Sequence, residues 1–195
     1  FAGEVADNGY YYADDFYYDV VNGKASLEIY EGTATELTIP LSIGGYNVNR
    51  IGHFAFSDNT TLKKVTIPEG ITEIGRSAFE DCTELESVNV PSTVKYLSGD
   101  IFRNCDKLVE CDNKSGEISI RMFEDCDSLE NVNLENIHTI YSYAFSGCDS
   151  IKSVTIPACV TTLDSNIFSK CSNLKEITIQ NNVIGFDMFG DCISL

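Results

Sequence analysis

The stretch AFEDCTELESVNVP, residues 78–91, reads on its own as a short turn running into a β-strand. It returns almost unchanged as AFSGCDSIKSVTIP at residues 144–157. A fixed period therefore takes precedence over any local assignment. Phenylalanine recurs at Phe56, Phe79, Phe102, Phe123, Phe145, Phe168 and Phe189, at intervals of 21–23 residues. Three residues after each stands Cys82, Cys105, Cys126, Cys148, Cys171 or Cys192, with Asn59 in the first unit. Six after each stands Leu62, Leu85, Leu108, Leu129, Ile151, Leu174 or Leu195, and five before each stands Ile51, Ile74, Leu97, Ile118, Ile140, Leu163 or Ile184. Seven units agreeing at four columns define the pattern Ile-x4-Phe-x2-Cys-x2-Leu-x2-Val-x-Ile-Pro. All the length variation falls between the Leu and the next Ile, a gap of 10, 11 or 12 residues, which places it in a solvent-facing turn.

Within the unit, Leu62-x-x-Val65-x-Ile67 alternates like a half-buried strand and is rich in β-branched residues. All four prolines, Pro40, Pro68, Pro91 and Pro157, follow this segment directly, where a missing N–H does least harm to a ladder. The Ala-Phe segment is too short for a stable helix of its own. It predicts one helical or 3₁₀ turn, or an irregular turn, on the opposite side. A unit this small cannot bury its apolar face alone, so units must stack, with strands about 4.7–4.9 Å apart in a parallel sheet. The expected fold is a repeat solenoid, a right-handed superhelix with one parallel β-sheet on the concave face and short turns on the convex face.

At these residues the chain resembles a known family. The units IGRSAFEDCTELESVNVPSTVKY and IYSYAFSGCDSIKSVTIPACVTT are similar to BspA-type leucine-rich repeats, which join an Ile-Gly-x-x-Ala-Phe segment to Cys-x-x-Leu-x-x-Val-x-Ile-Pro. The likeness is strong over residues 51–195, and LTIPLSIGGYNVNRIG, residues 37–52, resembles the degenerate first repeat that opens such arrays. The resemblance implies an extracellular or cell-surface protein of a host-associated microbe, engaged in adhesion or in binding host proteins. The domain organisation that follows is an N-terminal capping hairpin region, 1–36, and a repeat array, 37–195. The array has one degenerate opening repeat, six full units from residue 51, and a last unit truncated at 184–195.

Residues 97–117 depart from the pattern: Cys111 replaces the strand Val, and Asn113 stands where Ile67 and Val90 point inward. A buried Asn needs partners for both ends of its amide, so this rung is expected to be the weakest and locally wet. Residues 1–30 hold six of the ten tyrosines and do not repeat. There FYYDVVNGKASLEIY reads as two strands joined at Asn22-Gly23, a strong hairpin signal, and the hairpin is expected to shield the first rung. An aromatic sugar-binding platform is the less favoured reading of the tyrosines. At the other end the chain stops at Leu195, where a strand should begin. That edge predicts either further repeats beyond it or end-to-end self-association through the open rung.

Thirteen basic against thirty acidic residues give a net charge of −17, which argues against nucleic-acid binding, and no apolar run approaches the roughly 18 residues of a membrane span. The opening residues lack the basic start and apolar stretch of a secretion signal. No Cys-x-x-Cys pair and no Cys/His cluster of zinc spacing occurs, so the cysteines read as buried free thiols bonded weakly to backbone. Cys159 aligns with a turn and is the thiol expected to react first. His53 and His138 fall in outer columns with no aligned carboxylate or nucleophile, and no Gly-x-Ser-x-Gly or phosphate loop appears, so no catalytic residue and no cofactor is assigned. Asp106, Asp127 and Asp149 stack after the cysteines as a solvated acidic ridge, with Ca²⁺ the minority reading. The sequons at Asn59 and Asn113 lie in inward columns and read as accidental.

A solenoid usually offers its sheet face to a partner. The candidate partner-binding residues are Lys64, Thr66, Glu86, Asn89, Glu110, Asp112, Glu130, Asn133, Lys152, Thr155, Lys175 and Thr178. This face is polar, acidic in the middle and more basic towards both ends. It suits a broad protein contact better than a small-molecule pocket, which is typically apolar and concave. The other reading is a structural spacer or display rod with no ligand of its own.

Overall fold

Inward Leu62, Val65 and Ile67 form an apolar stripe that an extended segment can bury only against its copies in adjacent units. In the structure, a computed structural model that describes residues 4–7 and 9–195, these segments build a first strand lane. Glu36–Thr38, Lys64–Thr66, Ser87–Val90 and Glu110–Asn113 lie side by side in parallel, and Ser153–Ile156 pairs in parallel with Glu176–Ile179. Register advances by one unit per rung, so Leu37, Val65, Val88 and Cys111 share one row.

The single sheet of the sequence reading becomes two lanes. The Ile column forms a second lane of parallel strands, six residues long at Tyr46–Ile51 and two residues each at Glu73–Ile74, Tyr96–Leu97, Glu117–Ile118, Thr139–Ile140 and Thr162–Leu163. Ile51, Ile74 and Leu97 lie in one row, and Ile118, Ile140 and Leu163 in another. Two residues are too few to show alternation, which is why the lane escapes a reading by periodicity. At the N-terminal end, Phe16–Val21 and Lys24–Tyr30 form an antiparallel hairpin whose turn has Asn22 and Gly23 at φ 53° and 75°. Lys24–Tyr30 runs parallel to Tyr46–Ile51 with Leu27 opposite Ile51, so the hairpin joins the second lane and covers its first strand.

The Ala-Phe segment contains neither α- nor 3₁₀-helix; the irregular alternative is the one observed. Its backbone bonds run both back within the turn, as from Glu80 to Ser77 at 3.2 Å and Cys82 to Phe79 at 3.3 Å, and, at shorter distances, to the next unit. The Phe79 N–H donates to the Ile101 carbonyl at 2.9 Å, Phe102 to Met122 at 2.9 Å and Phe123 to Ala144 at 2.9 Å. Flanking bonds two residues either side follow the same rule, as from Ser77 to Gly99 and Asp81 to Arg103. The conformation that permits this has positive φ two residues before and two after each Phe: 54° at Ser77 and 59° at Asp81, 61° at Asp100 and 57° at Asn104. The left-handed form costs an ordinary L-residue about 1–2 kcal/mol and is easiest for Asn, Asp and Gly. Here it turns amides along the stack, where each finds an inter-rung partner.

Between the lanes lies one core. Successive phenylalanine rings from Phe56 to Phe168 stack with centroids 4.7, 5.4, 5.7, 5.4 and 5.2 Å apart. Tyr30 of the hairpin extends the file, its ring 5.1 Å from that of Phe56. Beside the file each thiol donates to the Phe carbonyl of the preceding unit: Cys82 to Phe56 at 3.1 Å, Cys105 to Phe79 at 3.2 Å and Cys126 to Phe102 at 3.1 Å. The same bond recurs from Cys148, Cys171 and Cys192. Asn59 turns instead to its own turn, where its carbonyl oxygen accepts the N–H of Thr61 at 3.0 Å and of Leu62 at 2.9 Å.

The rung expected to be weakest is regular on one side. Glu110–Asn113 pairs with Ser87–Val90 over four residues, and the Asn113 amide is satisfied locally. Its Nδ2 donates to the Glu117 carbonyl at 2.9 Å, while Oδ1 accepts from the Ser115 N–H at 2.9 Å and hydroxyl at 2.7 Å. The rung's other side is irregular: Tyr96–Leu97 and Glu117–Ile118 do not pair, and residues 130–133 of the next rung form no strand.

Phe102, fully buried in the middle of the ring file, is the most direct test of the stack. Phe102→Ala is expected to lower stability by about 3–5 kcal/mol in denaturant unfolding, and a loss below about 1 kcal/mol would refute the file's role.

Candidate protein-interaction face

Strand pairing fixes which candidate residues are neighbours. In one column Lys64, Ser87 and Glu110 lie abreast, and in the next Asn89 lies opposite Asp112. Beyond residues 130–133 the second column resumes with Thr155 opposite Thr178. Glu86, Glu130, Lys152 and Lys175 belong to a third column at the lane's margin, where the Glu86 N–H bonds the Lys63 carbonyl at 2.8 Å and the Lys175 N–H the Lys152 carbonyl at 2.9 Å. The candidates therefore form three rows, not one surface ladder.

Their chemistry divides further. Asn89 is half-buried and its amide is consumed: Oδ1 accepts the Ile67 N–H at 2.8 Å and Nδ2 donates to the Ile67 carbonyl at 2.6 Å. It thereby extends the ladder beyond Thr66, where strand pairing stops, and is a structural group. Asn133 likewise caps its own turn through the Glu135 N–H at 3.0 Å. Asp112 pairs with Lys114 at 2.8 Å, and Glu86 with Lys63 at 3.5 Å, both well exposed and worth little in stability. Thr66, Glu110, Glu130, Lys152, Thr155, Lys175 and Thr178 are exposed, as is Lys64, and no side-chain hydrogen bond or ion pair engages any of the eight among the described residues. These eight are the groups free to meet a partner. The signal that marked Asn89 as different was available: Asn is a poor strand former standing where Thr66, Thr155 and Thr178 stand.

Two open depressions, of about 430 and 460 Å³, lie on this face. Glu110, Asp112 and Lys64 line the first, Glu130, Lys152 and Thr155 the second, and Asn131 and Asn133 are shared.

Elsewhere the side chains read as structural. His53 accepts the Arg76 N–H on Nδ1 at 2.7 Å, tying two turns together. On the turn side Arg103 reaches Glu80 at 3.0 Å and Glu124 at 3.2 Å, while Arg76 holds the buried Asp100 at 3.0 Å. Partial burial, then the neighbouring Asp125, raises the Glu124 carboxyl against the pull of Arg103 and Arg121. Along the acidic ridge, Asp127 is raised first by burial and then by Asp106 and Asp149. No group of three or more His, Cys, Asp or Glu side chains is placed to hold a metal ion among the described residues. Burial pushes the Cys82 and Cys171 thiols up to about 12 and those of Cys105, Cys126 and Cys148 well above their usual range. Cys159 is partly exposed, its sulfur 3.2 Å from the Glu135 carbonyl oxygen. No helix among the described residues is long and apolar enough to cross a membrane.

Residues 30–134 and 109–195 match the model of the BspA type leucine rich repeat region, in six copies. Among solved structures, a leucine rich repeat protein of T. pallidum is similar at 26% identity over 94% of this chain and 89% of its own, with a TM-score of 0.84. A leucine rich cell surface protein from Faecalibacterium prausnitzii is 28% identical, covering 89% of this chain and 55% of its own, with a TM-score of 0.63. A leucine-rich repeat protein from Bacteroides ovatus shares the fold at 24% identity, over 95% of this chain and 45% of its own, with a TM-score of 0.64. The chain thus spans about half the length of the latter two. No curated protein matches the sequence.

Two outcomes separate structural from free groups. Asn89→Ala is expected to cost about 1–3 kcal/mol, since it orphans the Ile67 N–H and carbonyl, whereas Thr178→Ala stays within about 0.5 kcal/mol, both by urea titration. Equal effects would return Asn89 to the free set. With a maleimide at pH 8, Cys159 should label before the five buried column thiols, which react only once the protein unfolds. Prompt labelling of Cys105 or Cys126 in the native protein would contradict the burial described.

Proposed function

Because the chain belongs to the BspA-type leucine-rich repeat family, we propose that it is a protein-binding module of an extracellular or cell-surface protein. Its contact surface is the outward face of the first strand lane. The observation that carries this reading is the set of eight exposed side chains without intramolecular partners, arranged in fixed rows around two open depressions. Rows at strand spacing are rigid, so a partner meets preformed chemistry and loses less freedom on binding. Surface location is favoured by the cell surface protein from Faecalibacterium prausnitzii among the similar structures. The family is one of repeat scaffolds, and the side-chain geometry suits recognition, not turnover. Adhesion and host-protein binding are the finer form of the proposal. The partner is a protein, and nucleic acid is disfavoured by the net charge of −17.

A second reading, a spacer or display rod with no ligand, is favoured by the side chains of the same face that are already spent. Asn89 is bound to backbone, and Glu86 and Asp112 are ion-paired.

Binding of the protein to a panel of purified cell-surface and matrix glycoproteins, by surface plasmon resonance, separates the two. The module reading expects at least one analyte to bind, and the Glu110→Lys/Glu130→Lys pair to change its affinity at least about tenfold. Binding indifferent to both changes would move the contact to another face, and no binding across the panel would favour the rod.

A further inference from the structure

Most neighbouring rungs are tied three times: through the first lane, the second lane and the backbone of the Ala-Phe turn. Two of these ties fail at nearly the same level. In the second lane, Tyr96–Leu97 pairs only with Glu73–Ile74, and Glu117–Ile118 only with Thr139–Ile140. In the first lane, Glu110–Asn113 pairs only with Ser87–Val90, and Ser153–Ile156 only with Glu176–Ile179. Residues 130–133 lie between them without strand structure. The turn ladder meanwhile continues without a gap, from Phe102 to Met122 and from Phe123 to Ala144, each at 2.9 Å. So does the ring file, at 5.7 and 5.4 Å. The ion pairs of Arg103 with Glu80 and Glu124, and the Arg121 guanidinium 5.5 Å from the Tyr143 ring centre, span the same rungs on the turn side.

The sequence supplies a cause for each failure. Leu108 to Ile118 is 10 residues, against 12 from Leu85 to Leu97, so the second lane loses its length match there. Asn131 and Asn133 are poor strand residues, and the Asn133 side chain takes the Glu135 N–H into a local bond that competes with the ladder.

We propose that this level is a hinge between two stiff bodies, one ending at Asn113 and the other beginning at Glu117. The turn ladder and ring file form its spine, and bending about that spine opens or closes the strand-lane face. The two depressions lie on either side of residues 130–133, so the bend sets the separation of Glu110 from Lys152. Packed bodies joined by a few residues that lack cross-bonds are the usual build of a hinge. The inference rests on the hydrogen-bond pattern and holds whether or not the face has a ligand.

The test uses the protein itself and one repaired variant, Asn131→Ser/Asn133→Thr, which installs the residues found at Ser153 and Thr155 without changing charge. Amide hydrogen exchange of the wild type should be at least about 100-fold faster at residues 130–133 than at Val88–Val90, the expected contrast between local opening and a bonded strand. Labels attached at Glu36 and Gln180 by non-cysteine chemistry should give a broad distance distribution that narrows in the variant. Equal protection of the two segments in the wild type overturns the hinge. So does a wild-type distribution already as narrow as the variant's. Should the variant fail to fold, the wild-type exchange contrast decides alone.

Discussion

A single backbone relation holds the array together: the amide of each Phe must meet a carbonyl exactly one unit further on. Met in every unit from Phe56 to Phe168, that relation fixes the register of everything else. Rings stack because their backbones are aligned. Each thiol finds the preceding Phe carbonyl because the same alignment brings it within about 3 Å, as for Cys148 and Phe123 at 3.0 Å. Sheet pairing, the usual source of order in a parallel β structure, comes second here. Both strand lanes lapse in the middle of the chain, and the turn ladder does not.

This ordering accounts for a feature that strand chemistry leaves unexplained, the choice of cysteine. A position beside the ring file needs a small, apolar-compatible side chain that can still donate to a carbonyl. A thiol does this at low desolvation cost, where a hydroxyl would be more expensive to bury and alanine would offer no donor. The sulfurs are aimed at backbone oxygens along the stack, and all eight cysteines are free.

The ring file, the Leu and Val columns and the Asn22-Gly23 turn were legible in the sequence because each rests on a repeated or strongly local signal. The second lane was not, since two residues such as Glu73–Ile74 carry no periodicity. The left-handed turn positions were hidden by mixed identities, with Phe54, Ser77, Asp100, Arg121 and Tyr143 sharing one conformation. At the candidate face the sequence found the outward residues but not their loyalties. Asn89 bonds its neighbour's backbone while Thr178, in the same column, is free, and an Asn among threonines marks the position without showing which backbone groups it takes. The disturbed rung was legible in part: the second lane breaks between Leu97 and Glu117 as expected, but Asn113 is satisfied and the first lane lapses only at residues 130–133. Asn113 finds its partners, Ser115 and Glu117, in its own loop.

The left-handed turns also bear on the chain's acidity. Fourteen positions, two in each of seven units, demand positive φ, and aspartate fills six of them: Asp58, Asp81, Asp100, Asp125, Asp187 and Asp191. Aspartate tolerates that geometry better than most residues for reasons unrelated to its charge. Six of the thirty acidic groups are thus accounted for by backbone shape. Much as bone carries mineral for stiffness and so becomes a store of calcium, a part of this molecule's negative field is the residue of how its chain bends.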